Sequence, residues 1–165
     1  MLEFKNIFFY PEILANKKPD AKASVKGSPE YNKINGTVEF FQTKYGTLVK
    51  VKIKGLPSSK EKCKSPVFAF HIHSGSKCSG NEKDPFADAL THYNPDNCKH
   101  PYHAGDLPPL FGNDGYAYME FLTDRFRVNE VIGKTVIIHS NPDDFMTQPS
   151  GNAGMKIACG IIKKV

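Results

Sequence analysis

The residues best suited to chemistry are six histidines, all of which lie between positions 71 and 139 of a 165-residue chain. His71 and His73 belong to a mostly apolar segment, residues 67–73, that is typical of a β-strand. Alternate side chains of a strand point to opposite faces, so Phe68, Phe70 and Ile72 can enter a core while the two imidazoles share the other face. Two imidazoles on a rigid support form a platform for a metal ion, but such a pair alone is weak evidence.

A second group of polar residues is more specific. His92, His100, His103 and Asp106 fall within 15 residues of one another. Three imidazoles and a carboxylate suit zinc, which takes four nitrogen, oxygen or sulfur ligands in a tetrahedron, and imidazole ligands also suit copper. A surface loop with incidental histidines accords less well with a chain that has none before position 71. His139 ends another apolar segment, where a lone histidine is more often a polar end group than a ligand.

The elements that must position these residues are predicted to be strands. Val49, Val51 and Ile53 alternate with lysines, which indicates a strand with one buried face. Similar patterns predict strands at 23–26, 35–42, 116–121, 135–139 and 156–162. Long irregular stretches, 74–110 and 139–156, predict two functional loops. The sequence therefore predicts an all-β protein, a Greek-key β-sandwich or barrel of about eight antiparallel strands, after an irregular N-terminal arm at 1–22.

Composition limits the classes of function. The length predicts one domain, and the formal net charge is +5. The lysines are scattered and do not interleave with stacking aromatics, so nucleic acid is not an expected partner. No apolar run approaches the roughly 20 residues of a membrane span. The start of the sequence as written lacks the features of a leader, so we expect a cytoplasmic protein; the alternative is an extracytoplasmic protein whose leader has been removed.

Five motifs in a fixed order give the chain a family resemblance. They are FHIH at 70–73, HYNP at 92–95, HAGDL at 103–107, VIIH at 136–139 and GNAGMKIACG at 151–160. Together they resemble the copper/zinc superoxide dismutases. The insertion before His92 and the LPPL continuation at 107–110 look more like the bacterial branch. The resemblance runs from about Ala23 to the C-terminus, so residues 23–165 are predicted to form one copper/zinc superoxide dismutase-like domain.

The resemblance implies the metal ligands residue by residue. The implied copper ligands are His71, His73, His92 and His139. The implied zinc ligands are His92, His100, His103 and Asp106, so that His92 would bridge the two metals. Asp143 matches the carboxylate that links ligands of the two metals in this family, and such a partner fixes ring orientation. Cys78 and Cys159 match the disulfide that ties the long loop to the last strand.

The resemblance also implies an enzyme with copper and zinc as cofactors. It would disproportionate superoxide, a small anion, to dioxygen and hydrogen peroxide, with His92 taking and returning a proton. Lys156 stands where the family has an arginine near the copper, and would be the second catalytic residue. Lysine keeps the charge but lacks the rigid fork of donors, so we expect anion attraction with weaker orientation. Members of the family dimerise through different surfaces, which leaves a homodimer open.

Two other interpretations compete with the enzyme. One is a metal-binding homologue, copper-handling or zinc-only, with little dismutase activity, and the other is an interaction module whose loop is stapled by zinc. The presence of all four implied copper ligands favours the enzyme. Cys63 and Cys98 have no counterpart in the family; they could form a second disulfide or remain free, and free thiols are favoured.

Overall fold

The computed structural model describes residues 17–61 and 66–165. Most of the predicted N-terminal arm, as well as Cys63, lies outside the described residues. No helix within the two described ranges is both long and apolar enough to cross a membrane.

Strands dominate the described chain. Seven form one curled antiparallel sheet and two form a small ladder: β1 (Ala21–Gly27), β2 (Asn35–Thr43), β3 (Gly46–Lys54), β4 (Val67–Phe68), β5 (Phe70–His73), β6 (Leu110–Phe111), β7 (Tyr116–Thr123), β8 (Thr135–His139) and β9 (Lys156–Lys164). The order in the large sheet is β5-β8-β9-β1-β2-β3-β7, while β4 pairs with β6. A 3-10 helix at Ala87–Ala89 and a short α-helix, α1 (Val128–Val131), complete the regular structure of the described residues. The prediction of an all-β antiparallel fold is confirmed.

The core is built by the alternation that predicted the strands. Val49, Val51 and Ile53 of β3 are buried, whereas Lys52 and Lys54 on the other face are exposed. Inward side chains of β1, β2, β8 and β9 join them in one continuous cluster. Burial of this apolar surface is the main favourable contribution to folding. The sheet is therefore a firm base for the histidines on β5 and on its neighbour β8.

The segment 67–73 departs from the prediction of a single strand. The chain pairs with β6 up to Phe68 and with β8 from Phe70 onward. Between them, the Ala69 N–H donates to the Asn141 carbonyl at 2.7 Å, and the Ala69 carbonyl accepts from the His139 N–H at 2.9 Å. The predicted strand is therefore two strands, because the backbone of Ala69 bonds to the start of the second loop.

The first strand also differs from its prediction. It begins at Ala21, which pairs with Phe40 of β2 and Lys164 of β9. Ala21 and Lys22 therefore belong to the sheet and not to the predicted irregular arm. A small residue followed by a lysine carries little strand signal, and pairing on both sides extends the strand nonetheless.

The first part of the first long loop is held against the sheet. Cys78 forms a disulfide with Cys159 of β9, which confirms the pairing implied by the resemblance. Phe86 and Ala89 of the loop pack with Ile137 and Cys159 in a second, smaller core. The loop that carries three of the six histidines is therefore held by a covalent link and an apolar contact.

Candidate metal centre

Regular backbone pairing brings the predicted site residues together. His71 and His73 lie in β5, and His139 ends the neighbouring strand β8. His92 of the long loop forms an isolated antiparallel bridge with His73, and Asp106 forms another with His71. Sheet-like pairing thus joins both ends of the ligand-bearing segment, residues 92–106, to the strand that carries the first two histidines.

The six histidines and Asp106 form two groups that share one residue. Within each group the potential ligand atoms lie within 4.8 Å of one another, and every member is buried. We call His71, His73, His92 and His139 the histidine cluster. We call His92, His100, His103 and Asp106 the histidine–aspartate cluster. These are the two sets that the sequence assigned to copper and to zinc, so the structure brings together every ligand candidate.

In the histidine cluster, each of the three rings other than His92 has one nitrogen beside an oxygen that can accept a hydrogen bond. His73 Nδ1 lies 2.9 Å from the Leu90 carbonyl, and His139 Nδ1 lies 3.3 Å from the Gly154 carbonyl. His71 Nε2 lies 2.7 Å from a carboxylate oxygen of Asp143. Because these oxygens only accept, the nitrogens facing them carry the protons. The opposite nitrogens are left with lone pairs that can bind a metal.

The unprotonated nitrogens of this cluster face inward without donors. His73 Nε2 and His139 Nε2 lie 3.2 Å apart, so two lone pairs meet. His71 Nδ1 and His92 Nε2 are buried and have no hydrogen-bond partner. Buried polar atoms are normally satisfied, and a cation between these nitrogens would satisfy all four. The residues therefore fit a metal that accepts imidazole nitrogen, as copper does.

The histidine–aspartate cluster has the same character. His92 Nδ1 lies 2.7 Å from Asp106 Oδ1 and 3.4 Å from His103 Nδ1. His100 Nδ1 lies 3.0 Å from Asp106 Oδ2 but without hydrogen-bond geometry, since that nitrogen has no partner. Three imidazoles and one carboxylate at this separation fit a closed tetrahedral site of the kind that zinc prefers. His92 presents a different nitrogen to each cluster.

Asp143 joins the two clusters from behind. One of its carboxylate oxygens lies 2.7 Å from His71 Nε2 and the other lies 2.8 Å from His100 Nε2. A backbone N–H, that of Phe145, also donates to the carboxylate at 2.7 Å. Asp143 therefore fixes the tautomer of one ring in each cluster, which is the geometry that the resemblance implied for it.

Burial keeps several of the imidazoles neutral. It lowers the pKa of His139 to about 3 and the pKa of His73 well below the ordinary value, with further lowering by neighbouring imidazoles. Burial also lowers the pKa of His71 and of His103. A neutral imidazole is the form that binds a metal, so these rings are ready to do so at neutral pH.

The two carboxylates of the site remain ionised for the opposite reason. Burial alone would raise the pKa of Asp143, but hydrogen bonds from His71, the Phe145 N–H and His100 lower it to about 2. Burial likewise opposes the shift of Asp106, whose pKa is lowered chiefly by its hydrogen bond with His92. The site therefore holds two buried negative charges beside neutral imidazoles, which favours a cation.

A cleft opens onto the metal centre. Its volume is about 650 Å³, and its wall includes His73, His92 and His139 of the histidine cluster and His103 of the histidine–aspartate cluster. Lys156, which pairs with His139 across β8 and β9, also lines the cleft. Its ammonium lies 2.5 Å from a carboxylate oxygen of Asp84, a residue of the first long loop. The predicted anion-attracting lysine is therefore already paired with an acid.

Two contacts that support the site have no signal in the sequence. Asp84 carries no motif that would mark it as the partner of Lys156, 72 residues away. Gln148 of the second loop accepts from the His100 N–H at 3.0 Å and donates to the His100 carbonyl at 2.7 Å. Both residues lie in irregular stretches, where no periodicity indicates which side chains will meet.

Replacing Gly151 with alanine tests the role of Asp143. Gly151 has a φ of +66°, and an added Cβ would collide with the carboxylate of Asp143 and lie 2.7 Å from His100 Nε2. We expect the affinity for both metals to fall by about 10- to 100-fold, as for loss of a group that orients ligands. Chelator competition against the purified variant measures the two dissociation constants.

A matched control separates this collision from backbone strain. Gly133 has a similar φ of +86°, and nothing lies within 4 Å of a Cβ added there. Gly133→Ala should lose stability through strain but bind both metals as the unaltered protein does. If the two variants weaken metal binding equally, the position of the Asp143 carboxylate does not control affinity.

Comparisons with known proteins point in one direction. A family model described as copper/zinc superoxide dismutase (SODC) matches residues 34–162. A protein of Aquifex aeolicus named superoxide dismutase [Cu-Zn] 2 is 34% identical, and the match covers 92% of this chain and 92% of that protein. One of Deinococcus radiodurans, named superoxide dismutase [Cu-Zn], is 30% identical over 81% of this chain and 79% of its own length.

A solved structure is similar as well. It is the crystal structure of a double mutant of a SOD-like protein from Bacillus subtilis, with a TM-score of 0.68 and 27% sequence identity. The match covers 84% of this chain and 94% of that chain.

Proposed function

The chain belongs to the copper/zinc superoxide dismutase family, and on that basis we propose that it disproportionates superoxide to dioxygen and hydrogen peroxide. The observation that carries the proposal is the completeness of the site. Two buried groups of four ligands share His92, and no ligand position is filled by a residue unable to bind a metal. A homologue that merely kept the fold would have no need of both sets.

We propose that copper occupies the histidine cluster and zinc the histidine–aspartate cluster. The all-imidazole set suits copper, and three of its four histidines, His73, His92 and His139, line the cleft through which a substrate would arrive. The set with a carboxylate suits zinc, which is held by four protein groups in closed structural sites. His92 Nδ1 now faces Asp106, so binding of both metals requires this ring to lose its remaining proton.

The residues of the chain divide the remaining work. Copper, when bound, supplies one-electron redox chemistry between two superoxide molecules. His92 Nε2 is the atom that we propose holds a proton between the two half-reactions, because it is buried and has no other partner. Asp106 stays beside the other nitrogen of that ring and keeps it oriented. Asp143 keeps the proton of His71 on Nε2, so His71 Nδ1 keeps its lone pair for the metal.

Lys156 is proposed to draw the anion toward the site. A cation on the wall of the cleft raises the local concentration of superoxide. Pairing with Asp84 reduces this field but fixes the position of the ammonium group. Lys156 is therefore a charge in a fixed position whose attraction for the anion is reduced by Asp84, and it lacks the fork of donors with which an arginine would orient the anion.

One sample tests the proposal. Purified protein is reconstituted with copper and zinc, its content of both metals is measured, and superoxide decay is followed in the same sample. The expected result is copper and zinc in equal amounts together with accelerated decay. Full copper loading without accelerated decay would overturn the enzyme and leave the metal-binding homologue. Bound zinc without copper would leave only the zinc-stapled module.

Exchanging Lys156 for arginine should raise turnover severalfold. A guanidinium keeps the positive charge and adds donors in a fixed fork, so it can pair with Asp84 and still orient an anion. Stopped-flow measurement of superoxide decay on the metal-loaded variant gives the rate. Lys83, which lines the same cleft, is the matched site for the same exchange, and Lys83→Arg should leave the rate unchanged. Equal or lower turnover for Lys156→Arg would count against the assigned role.

A further inference from the structure

Three backbone carbonyls of the histidine–aspartate cluster converge on a single side chain. Arg125, in the connection after β7, donates from Nη1 to the carbonyl of Pro101 at 3.0 Å, of His103 at 3.2 Å and of Asp106 at 3.1 Å. The Arg125 N–H donates to the Thr123 hydroxyl at 3.2 Å, which holds the base of the side chain. The contacts therefore run from an end of the large sheet to the loop segment that carries three ligands.

The segment from His100 to Asp106 needs support of this kind. It places three ligands of the histidine–aspartate cluster within seven residues and contains no regular strand or helix. Its three ligand side chains turn toward the metal centre, and the carbonyls of Pro101, His103 and Asp106 point to Arg125 and take a donor from it. Within the segment the Asp106 N–H donates to the His103 carbonyl at 3.1 Å, which leaves the remaining acceptor capacity to Arg125.

From these contacts we propose that Arg125 is a positioning residue for the metal bound by the histidine–aspartate cluster. This inference rests on the proposed function, since it concerns the cluster assigned to zinc. Arg125 makes no contact with the ligand atoms themselves. It fixes the backbone on which His103 and Asp106 are mounted, and so sets the distance between their ligand atoms before the metal arrives. Preorganised ligands lose less freedom when they bind.

Arginine is suited to this place for a physical reason. Its guanidinium is always charged, reaches far from the backbone, and attracts the negative ends of several carbonyl dipoles at once. The chain has only two arginines, Arg125 and Arg127. Among the hydrogen bonds of the described residues, none joins the Arg127 side chain to residues 100–106. A neighbouring arginine is therefore present as a control.

The test measures zinc binding by the full-length chain. Metal-free Arg125→Ala is titrated with zinc alone against a chelator, and its dissociation constant should rise by at least about tenfold, as for loss of a supporting contact. Arg127→Ala should stay within about twofold of the unaltered protein. Titration with Co²⁺ alone supplies a spectroscopic measure, because the intensity of its visible absorption reports tetrahedral geometry; the intensity should fall in Arg125→Ala only.

Further measurements separate positioning from general loss of stability. The free energy of unfolding of the metal-free variants is measured in parallel, and Arg125→Lys, which retains a cation and donors, should recover part of the zinc affinity. Unchanged zinc affinity and Co²⁺ absorption in Arg125→Ala would overturn the inference alone. Affinity lost equally in Arg125→Ala and Arg127→Ala would also overturn it. Absence of zinc binding by the unaltered protein would overturn the proposed zinc site and this inference together.

Discussion

His92→Ala is expected to lower superoxide dismutation by more than about 100-fold, the largest effect of any single substitution in the chain. His92 is the one residue common to both clusters, and its two nitrogens face different sets of ligands. Its loss would remove the proposed shared ligand of copper and zinc and the proposed site of the transferred proton. Metal content, both dissociation constants and the rate of superoxide decay are measured on the purified variant.

Single-cluster variants make this experiment decisive. His73→Ala removes a residue of the histidine cluster alone and should lower the affinity for copper, whereas His100→Ala should lower the affinity for zinc. Only His92→Ala should lower both affinities. Tyr102→Ala alters an exposed residue of the same loop and serves as the control, with metal content and activity unchanged. If His92→Ala weakened no more than one metal, the two clusters would not share this ligand.

The ligand set could be predicted from the sequence because short motifs in a fixed order resemble one family, and the resemblance implies each ligand. All six histidines fall between positions 71 and 139, either in apolar segments that form strands or in the first long loop. In β5, Phe70 and Ile72 pack in the core and so place His71 and His73 on the opposite face. The strand β8 is buried throughout, so its apolar run alone did not determine the direction of His139. The observed groups contain every predicted ligand candidate, and the strand that ends at His139 has the predicted bounds.

The supporting contacts could not be predicted, since they join irregular segments that are distant in sequence. Arg125 bonds to carbonyls about 20 residues away, and Asp84 lies 72 residues from Lys156. Nothing in a loop without periodicity tells which carbonyl will lack a donor or which acid will face a given lysine. The break in the strand at Ala69 could not be predicted for a related reason. A continuous apolar run gives no sign of where the backbone changes its pairing partner.

Cys78→Ser is expected to lower the free energy of unfolding of the metal-free protein by roughly 2–5 kcal/mol. The disulfide with Cys159 closes a chain segment of 81 residues, and a link of that length removes much conformational entropy from the unfolded state. Denaturant unfolding of the oxidised, metal-free protein, followed by circular dichroism, measures the difference. Ser at position 78 is preferable to Ser at position 159, because Cys159 is buried in the smaller core and a hydroxyl there would add a second penalty.

Loss of the disulfide should also weaken metal binding, because the loop that it fastens orients one of the ligands. The Leu90 carbonyl, which fixes the tautomer of His73, lies in the loop that the disulfide fastens, next to the packed Ala89. We therefore expect Cys78→Ser to bind copper more weakly than the unaltered protein does, and its zinc affinity to fall by a smaller factor. Cys98→Ser is the matched control, since Cys98 is exposed and has a free thiol. Equal stability and copper affinity in the two serine variants would show that the apolar contacts of Phe86 and Ala89 hold the loop without the covalent link.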